Sequence, residues 1–510
     1  MPAHPVIAWR DAACERLSHD PFDVLVIGGG INGAGIARDA ALRGLRVALV
    51  ERDDFASGTS SRSSRLVHGG VRYLEHGFLH LVFESSRERR ILLEIAPHLV
   101  QPLRFTWPVY RGARIPRWKL AAGLWLYDML ATFRNVRRHR TLGAGGVLAL
   151  EPRLAHAGLT GGASYYDAAT NDARLTLANV VDAARAGAVV LNHAEVTSLV
   201  FEGVKATGLT LRDRFDGRTV EVRAGALVNA TGPWTDAISR IESPSSRPAV
   251  LGTKGVHVAV PAERVGNRAA VTLLSPIDGR VMFVLPAGTH TIIGTTDTVT
   301  NENPEQVRAT RADVRYLLES VNAFFPEANL GAEDVVAAWA GIRPLIASGN
   351  VGDPAAASRE HEVVVGPRGV IAVTGGKLTT YRSMAAEVVD VVQKRLGMQP
   401  TASVTGERAL PDRHPAAPAR GDPLGARIVE GLPHTFADVS YAAAREFACT
   451  IADVLVRRTH LAFETRDHGM AVAPAVASVL APLLGWDDSS ATRARIDYAA
   501  EIARLFTIEP

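Results

Sequence analysis

Three glycines and one acid carry the clearest chemistry in this chain. Gly28, Gly30 and Gly33 stand in GGGINGAG at the G-x-G-x-x-G spacing, and Glu51 closes an apolar run, Val47 to Val50. The first glycine permits a tight turn, the second lets backbone approach a pyrophosphate, and the third packs a helix against a strand. Phosphate then meets the N-terminus of the helix that opens there. Glu51 falls about 20 residues after the glycines, where a carboxylate accepts hydrogen bonds from an adenosine ribose 2′-OH and disfavours a 2′-phosphate. The pattern is that of a dinucleotide site that does not take NADP. Beside it, GTSSRSSRLVHGGVRYLEHG (Gly58 to Gly77) gathers hydroxyls, glycines and cations in one loop. Much later, Thr374-Gly375-Gly376-Lys377 opens another helix, whose positive end suits a ligand edge that gains electrons.

The elements that must hold these residues can be read from periodicity. Asp23 to Arg52 runs strand, glycine turn, helix and second strand without a break, one complete βαβ unit. Leu175 to Ala186 reads as a helix, with Ala188 to Leu191 and Val196 to Val200 as strands, so the dinucleotide domain continues past residue 150. Ala226 to Ala230 is a short strand entering Thr231-Gly232-Pro233-Trp234; Val370 to Val373 is another, before a helix at Ser383 to Arg395. Both junctions belong at the carboxyl edge of a sheet, where open α/β folds bind ligands. Between them, alternation such as Val256-His257-Val258-Ala259-Val260 and Val281-Met282-Phe283-Val284-Leu285 marks an inserted antiparallel sheet. The proline-rich stretch Pro411 to Pro423 cannot sustain a helix and reads as a linker. Beyond it, Phe447, Ile451, Val454 and Leu455 fall at helical spacing, as do apolar positions in Ala494 to Leu505, and no catalytic constellation is visible. The pair Arg457-Arg458 reads as a solvated helix face rather than a contact surface.

The expected class is α/β, α+β overall: a discontinuous dinucleotide domain (20–90, 155–244 and 336–400), cap and contact segments (91–154 and 245–335), a linker (401–425) and a helical C-terminal domain (426–510). A chain of 510 residues exceeds one hydrophobic core, in keeping with that division. Hydrophobic content of 47% with 21% charged residues suits an ordinary folded protein. Cys14 and Cys449 stand far apart without metal spacing, which argues for a reducing compartment and against disulfides or a zinc site. A net charge of +3 is too mild to imply nucleic acid. Residues 1 to 20 are interrupted by Arg10, Asp11, Glu15 and Arg16, so no secretory signal is expected and the cytoplasm is the expected compartment. The apolar stretch Leu120 to Phe133 contains Asp128 and is short of the roughly 20 residues needed to span a bilayer. Arg111, Arg114, Arg117, Trp118 and Lys119 precede it, and Arg134, Arg137, Arg138, His139 and Arg140 follow. Such a segment is either an interfacial anchor or a buried helix with solvated basic ends.

Through GGGINGAGIARDAALRG, TSSRSSRLVHGGVRYLEHG, DARLTLAN, LVNATGPW, KGVHV, IIGTTD, GIRPL and GGKLTTYR, in that order, the chain resembles the FAD-dependent, quinone-linked glycerol-3-phosphate dehydrogenases. The resemblance spans nearly the whole length. It implies a Rossmann-type FAD domain of the glycine-oxidase and D-amino-acid-oxidase class, an antiparallel-sheet substrate cap and a helical C-terminal domain. It also implies cofactor contacts at Gly28, Gly30, Asn32, Gly33, Glu51 and Arg52, along the loop at Thr59, Ser60, Ser64, Arg65, His68 and Gly69, and at Gly232, Gly376, Leu378 and Thr379.

The implied reaction oxidises sn-glycerol 3-phosphate to dihydroxyacetone phosphate, with electrons passed to a membrane quinone. A phosphate dianion calls for guanidinium forks: Arg72, Arg343 and Arg359 lie at family-matching positions, with Tyr73 as a neutral donor. His257 is the first candidate base for the C2 hydroxyl and Lys377 a candidate for stabilising alkoxide charge, with the catalytic roles to be divided among His257, Lys377 and Arg343. Asp297, in GTTD, is expected to cap a turn or orient a neighbour. Family members suggest a homodimer on the inner face of a membrane, and no metal is implied. Two rival readings share the fold: a glycerol-3-phosphate oxidase that uses oxygen, whose family members carry an extra cap insertion not seen here, and an amine or amino-acid oxidase, which would lack the arginine set. A third, a non-catalytic flavoprotein, is opposed by Arg72, His257, Arg343 and Lys377 within the motifs.

Overall fold

The computed structural model describes residues 5–132, 135–346, 361–413, 415, 419 and 421–510. Among these, one sheet of eight strands is built around five parallel ones in the order Ile371–Gly375, Thr219–Asn229, Phe22–Ile27, Val47–Val50 and Val189–Leu191. The composition of the strands explains their place. Val24, Val26 and Leu49 point into a cluster with Ala34, Ile36, Val388 and Val389 of the helices Ile31–Leu42 and Tyr381–Arg395. Leu25, Ile27, Ala48 and Val50 point the other way, onto Leu17 of the helix Pro5–His19 and Leu209 and Leu211 of the strand Lys205–Asp213. A strand covered on both faces must be apolar throughout, as FDVLVI and VALV are.

Glycine sets how closely the first helix approaches this sheet. Gly28 turns at φ +103°, and a Cβ on Gly33 would stand 1.8 Å from the Gly28 carbonyl oxygen, so only hydrogen fits there.

The second sheet, of ten strands among the described residues, is mostly antiparallel. Val250–Pro261 lies between His290–Gly294 and Ala337–Ile346. Alternation then sorts side chains by face. Val256, Val258, Val260, Ala338, Ala340 and Ile342 join an apolar cluster with Leu317 and Val321 of the helix Arg311–Asn322, while Gly255, His257, Gly341 and Arg343 line a cavity between the sheets. Leu159–Thr170 runs antiparallel to Val100–Tyr110 in this second sheet rather than in the parallel one.

The C-terminal part is helical, with Phe436–Arg445, Ala473–Leu484 and Asp488–Phe506 joined through a π-helical turn, Asp453–Arg458. Here one expectation is corrected. Arg457 and Arg458 are not a solvated face: both are buried and bond to the carboxylate of Asp54, with Arg457 also 2.9 Å from Asp453. The π-helical turn packs against the segment that follows Val47–Val50, and burying two guanidiniums there requires acidic partners. No helix of the described residues is long and apolar enough to cross a membrane.

Candidate active site

A cavity of about 510 Å³ opens between the sheets, within the roughly 300–1,000 Å³ of ligand and cofactor clefts. One side is the carboxyl edge of the parallel sheet. Gly28, Gly30, Ile31 and Asn32 line it where the first helix begins, and the Ile31 amide donates to Ser60 Oγ at 2.9 Å, tying loop to helix. Glu51 stands at the end of the next strand. Its carboxylate accepts the Gly29 amide at 2.6 Å and the Asp53 amide at 2.9 Å, and each oxygen keeps a lone pair for a ribose hydroxyl. Burial raises the Glu51 carboxyl above its ordinary range, and the two amides oppose that shift. Thr59 donates to the Ile342 carbonyl at 2.6 Å, which anchors the loop to the second sheet.

The GGKLT turn closes the far end. Gly375 and Gly376 turn at φ +80° and +83° ahead of the helix Tyr381–Arg395, and Thr379 Oγ1 accepts the His68 amide at 3.1 Å, so two distant loops share one wall. Lys377 Nζ donates to Ser85 Oγ at 3.3 Å and lies 3.9 Å from the centre of the Tyr73 ring, a cation over a π face. Ser85 gives no signal in the sequence, because its role depends on where the helix Leu79–Ile95 passes.

The antiparallel sheet supplies the side chains with titratable or cationic heads. Register puts His257 directly across from Gly294 on one neighbour and Trp339 on the other. Its ring lies on the Trp339 ring at 5.5 Å and 12°, and Nε2 is 2.9 Å from Ser64 Oγ. Burial first, then the Arg343 and Arg65 guanidiniums, push the imidazole down to about 3, so it is neutral at physiological pH. Arg343 donates to Asp297 Oδ1 at 2.9 Å and to Thr295 Oγ1 at 3.0 Å. Asp297 thus orients a neighbour, one of the two roles expected of it.

Most of the expected residues therefore meet. Gly28, Gly30, Asn32, Glu51, Arg52, Thr59, Ser60, Ser64, His68, Tyr73, Gly232, His257, Arg343, Gly376, Lys377, Leu378 and Thr379 all line the one cavity. Three sit behind it. Gly33 supports the glycine turn; Gly69 is buried with its amide on Asp167 Oδ1 at 3.0 Å; and Arg65 lies over the Trp339 and Phe463 rings. Arg359 and the side chain of Arg72 lie outside the described residues.

A glycine turn, an acid at the end of the second strand and a cavity ringed by fixed cations define a dinucleotide-binding enzyme of the α/β class. The family described as FAD dependent oxidoreductase matches residues 23–382, and the C-terminal domain of alpha-glycerophosphate oxidase matches residues 407–491. Glycerol-3-phosphate dehydrogenase 2 of Mycobacterium tuberculosis is 39% identical, over 98% of this chain and 90% of the relative. The structure of the glycerol-3-phosphate dehydrogenase from Bacillus halodurans complexed with FAD superposes with a TM-score of 0.78 at 30% identity, covering 97% of each chain. An L-alpha-glycerophosphate oxidase from Mycoplasma pneumoniae shares the fold at 18% identity and a TM-score of 0.60, over 77% of this chain and all of that one. The chain belongs to the FAD-dependent oxidoreductases and, among them, to the glycerol-3-phosphate dehydrogenase family. Its residues fit FAD: Gly28 and Gly30 line the cavity with bare backbone that a pyrophosphate can approach, and Glu51 presents acceptors for the ribose.

Proposed function

We propose that this enzyme oxidises sn-glycerol 3-phosphate at C2 to dihydroxyacetone phosphate and passes the electrons to a membrane quinone. The observation that carries the reading is the presence of His257, Arg343 and Lys377 on the same cavity as the glycine turn. FAD, when bound, supplies the hydride acceptor at flavin N5. The chain's own groups do the rest. Arg343, held by Asp297 and Thr295, offers a fixed guanidinium to the phosphate, with Tyr73 of the same cavity as a neutral donor and Arg72 and Arg359 in the same role as Arg343. His257 takes up the hydroxyl proton, for which its neutral form is required. The arriving phosphate dianion offsets the guanidinium charge that disfavours the imidazolium. Lys377 stabilises negative charge developing on the C2 oxygen. Replacing His257 by Asn is expected to slow flavin reduction more than it weakens product binding; equal effects would make it a positioning group.

A peripheral membrane contact belongs to the same proposal. Trp118, Trp125 and Met129 of the helix Arg117–Leu130 are exposed, as are Leu79 and Phe83 of the adjoining helix Leu79–Ile95, while Leu120, Leu124 and Tyr127 turn inward. Exposed Arg111, Arg114, Arg117, Lys119, Arg137, Arg138 and Arg140 flank this patch. Apolar tips ringed by cations suit an anionic lipid surface such as the inner face of the cytoplasmic membrane. The homodimer completes the reading and rests on the family resemblance.

Turnover with sn-glycerol 3-phosphate tests the acceptor: the proposal expects reduction of a soluble quinone analogue with little peroxide under air. Peroxide as the main product would make the enzyme an oxidase. Failure to oxidise the ester with either acceptor would overturn the substrate. Sedimentation with anionic vesicles is expected to carry the protein down and to fail for Trp118→Ser/Trp125→Ser; equal sedimentation of both would remove the anchor.

A further inference from the structure

His257 reaches the cavity wall but is nearly closed off from it. The residue is 2% exposed. One ring face lies on Trp339. The backbone of Gly294 crowds the other edge so closely that a Cβ there would stand 2.1 Å from Cδ2 and 2.9 Å from Nε2. Nδ1 is buried with no hydrogen-bond partner among the described residues. What does reach Nε2 is the hydroxyl of Ser64, at 2.9 Å. Ser64 is only half-buried and lines the same cavity, in the loop after the short turn Thr59–Ser61. With the imidazole neutral and its proton on Nδ1, Nε2 accepts from the serine, and the serine oxygen keeps lone pairs for a donor on the cavity side.

We propose that Ser64 is the proton relay between the substrate and His257, a role that rests on the oxidation of the C2 hydroxyl inferred above. As the C2–H bond gives up its hydride to the family's FAD, the substrate O–H bond breaks and its proton passes to Ser64 Oγ. In concert, the proton already on Ser64 passes to His257 Nε2. The serine ends unchanged, the histidine becomes an imidazolium, and the electron pair of the former O–H bond forms the C2 carbonyl. Atoms and electrons balance with no further reactant. Arg343, paired with Asp297, and Arg65, whose charge is offset by Asp172 and Glu464, face the histidine and oppose its protonation. The serine is thus interposed between a sequestered base and the cavity, rather than being a spectator on the flavin side.

Anaerobic stopped-flow bleaching of the flavin by sn-glycerol 3-phosphate separates the readings in three holoenzymes. Ser64→Ala is expected to bind FAD as the wild type does and to bleach at least about 100-fold more slowly, the scale of a lost positioned proton acceptor. The double variant Ser64→Ala/His257→Asn is expected to be no slower than His257→Asn alone, because two members of one relay do not add. Undiminished bleaching in Ser64→Ala, a rate loss that only follows lost FAD, or additive losses in the double variant would overturn the relay and leave Ser64 a cofactor contact. A wild type that the ester does not bleach would overturn the substrate assignment itself, and the relay with it.

Discussion

The two walls of the cavity are built by different means. The wall from the parallel sheet works mainly through backbone: a glycine turn, the amide of Ile31 at a helix start, and the amides of Gly29 and Asp53 that fix Glu51. The wall from the antiparallel sheet works through side chains, His257 and Arg343, each set by register and by a neighbour from another strand or loop. A backbone wall depends on what is missing, since an added carbon at Gly28 or Gly33 would run into backbone. A side-chain wall depends on buried titratable and charged groups, and carries their desolvation cost and their sensitivity to pH.

Gly33→Ala tests this contrast at the cofactor. With the new carbon 1.8 Å from a backbone oxygen, helix and turn must separate. Purified protein is expected to retain less than about a tenth of its FAD by visible absorbance, roughly 1.4 kcal/mol or more of lost affinity. Full occupancy would show that the turn is not built on that contact.

Arg458→Met tests the clasp behind the backbone wall. Both Arg458 and Asp54 are fully buried, and removing one partner of such a pair costs about 3–5 kcal/mol. Denaturant unfolding should report that loss, and a change under about 1 kcal/mol would mean that Arg457 alone satisfies Asp54.

Away from the cavity, on the antiparallel-sheet side, stability should respond to pH through Glu151, which lies near Arg104. Its carboxylate is buried beside Arg268, whose amide donates at 2.8 Å, and burial pushes it up to about 7. Between the ordinary carboxyl value and about 7 the folded chain binds a proton that the unfolded chain does not. The stability contribution is therefore complete below the ordinary value and is lost as pH rises through 7, by about 3 kcal/mol at most. Glu151→Gln is expected to remove that decline from unfolding measured across pH, and an identical slope in wild type and variant would contradict it.

Arg343→Met is expected to lower kcat/KM for the phosphate ester roughly 10- to 100-fold, as for one or two charged hydrogen bonds of about 1.5–3 kcal/mol, while FAD content stays constant. Loss of FAD instead would erase the distinction between the walls.

Legibility in the sequence follows the same division. The strands Phe22–Ile27 and Val47–Val50 and the helix Ile31–Leu42 could be read because a doubly covered strand must be apolar and a close helix must carry glycine. The strand Thr219–Asn229 extends well before Ala226, since Glu221 and Arg223 alternate with Val220 and Val222 where it pairs with Lys205–Asp213. Local apolar continuity does not register such a stretch. The bond from Ser64 to His257 spans 193 residues, and that from Arg458 to Asp54 spans 404. Neither has a local signal, because only the meeting of the two sheets, or of the C-terminal helices with the first, brings the partners together. For that reason the basic pair Arg457-Arg458 carries, in sequence alone, the pattern of a solvated surface.

The most direct test of the two-walled site is an anaerobic flavin spectrum of the purified protein before and after sn-glycerol 3-phosphate, with unphosphorylated glycerol as control. An oxidised-flavin band is expected at the outset, bleached by the phosphate ester and untouched by glycerol. Bound FAD that the ester leaves oxidised, or that glycerol bleaches equally well, would contradict it.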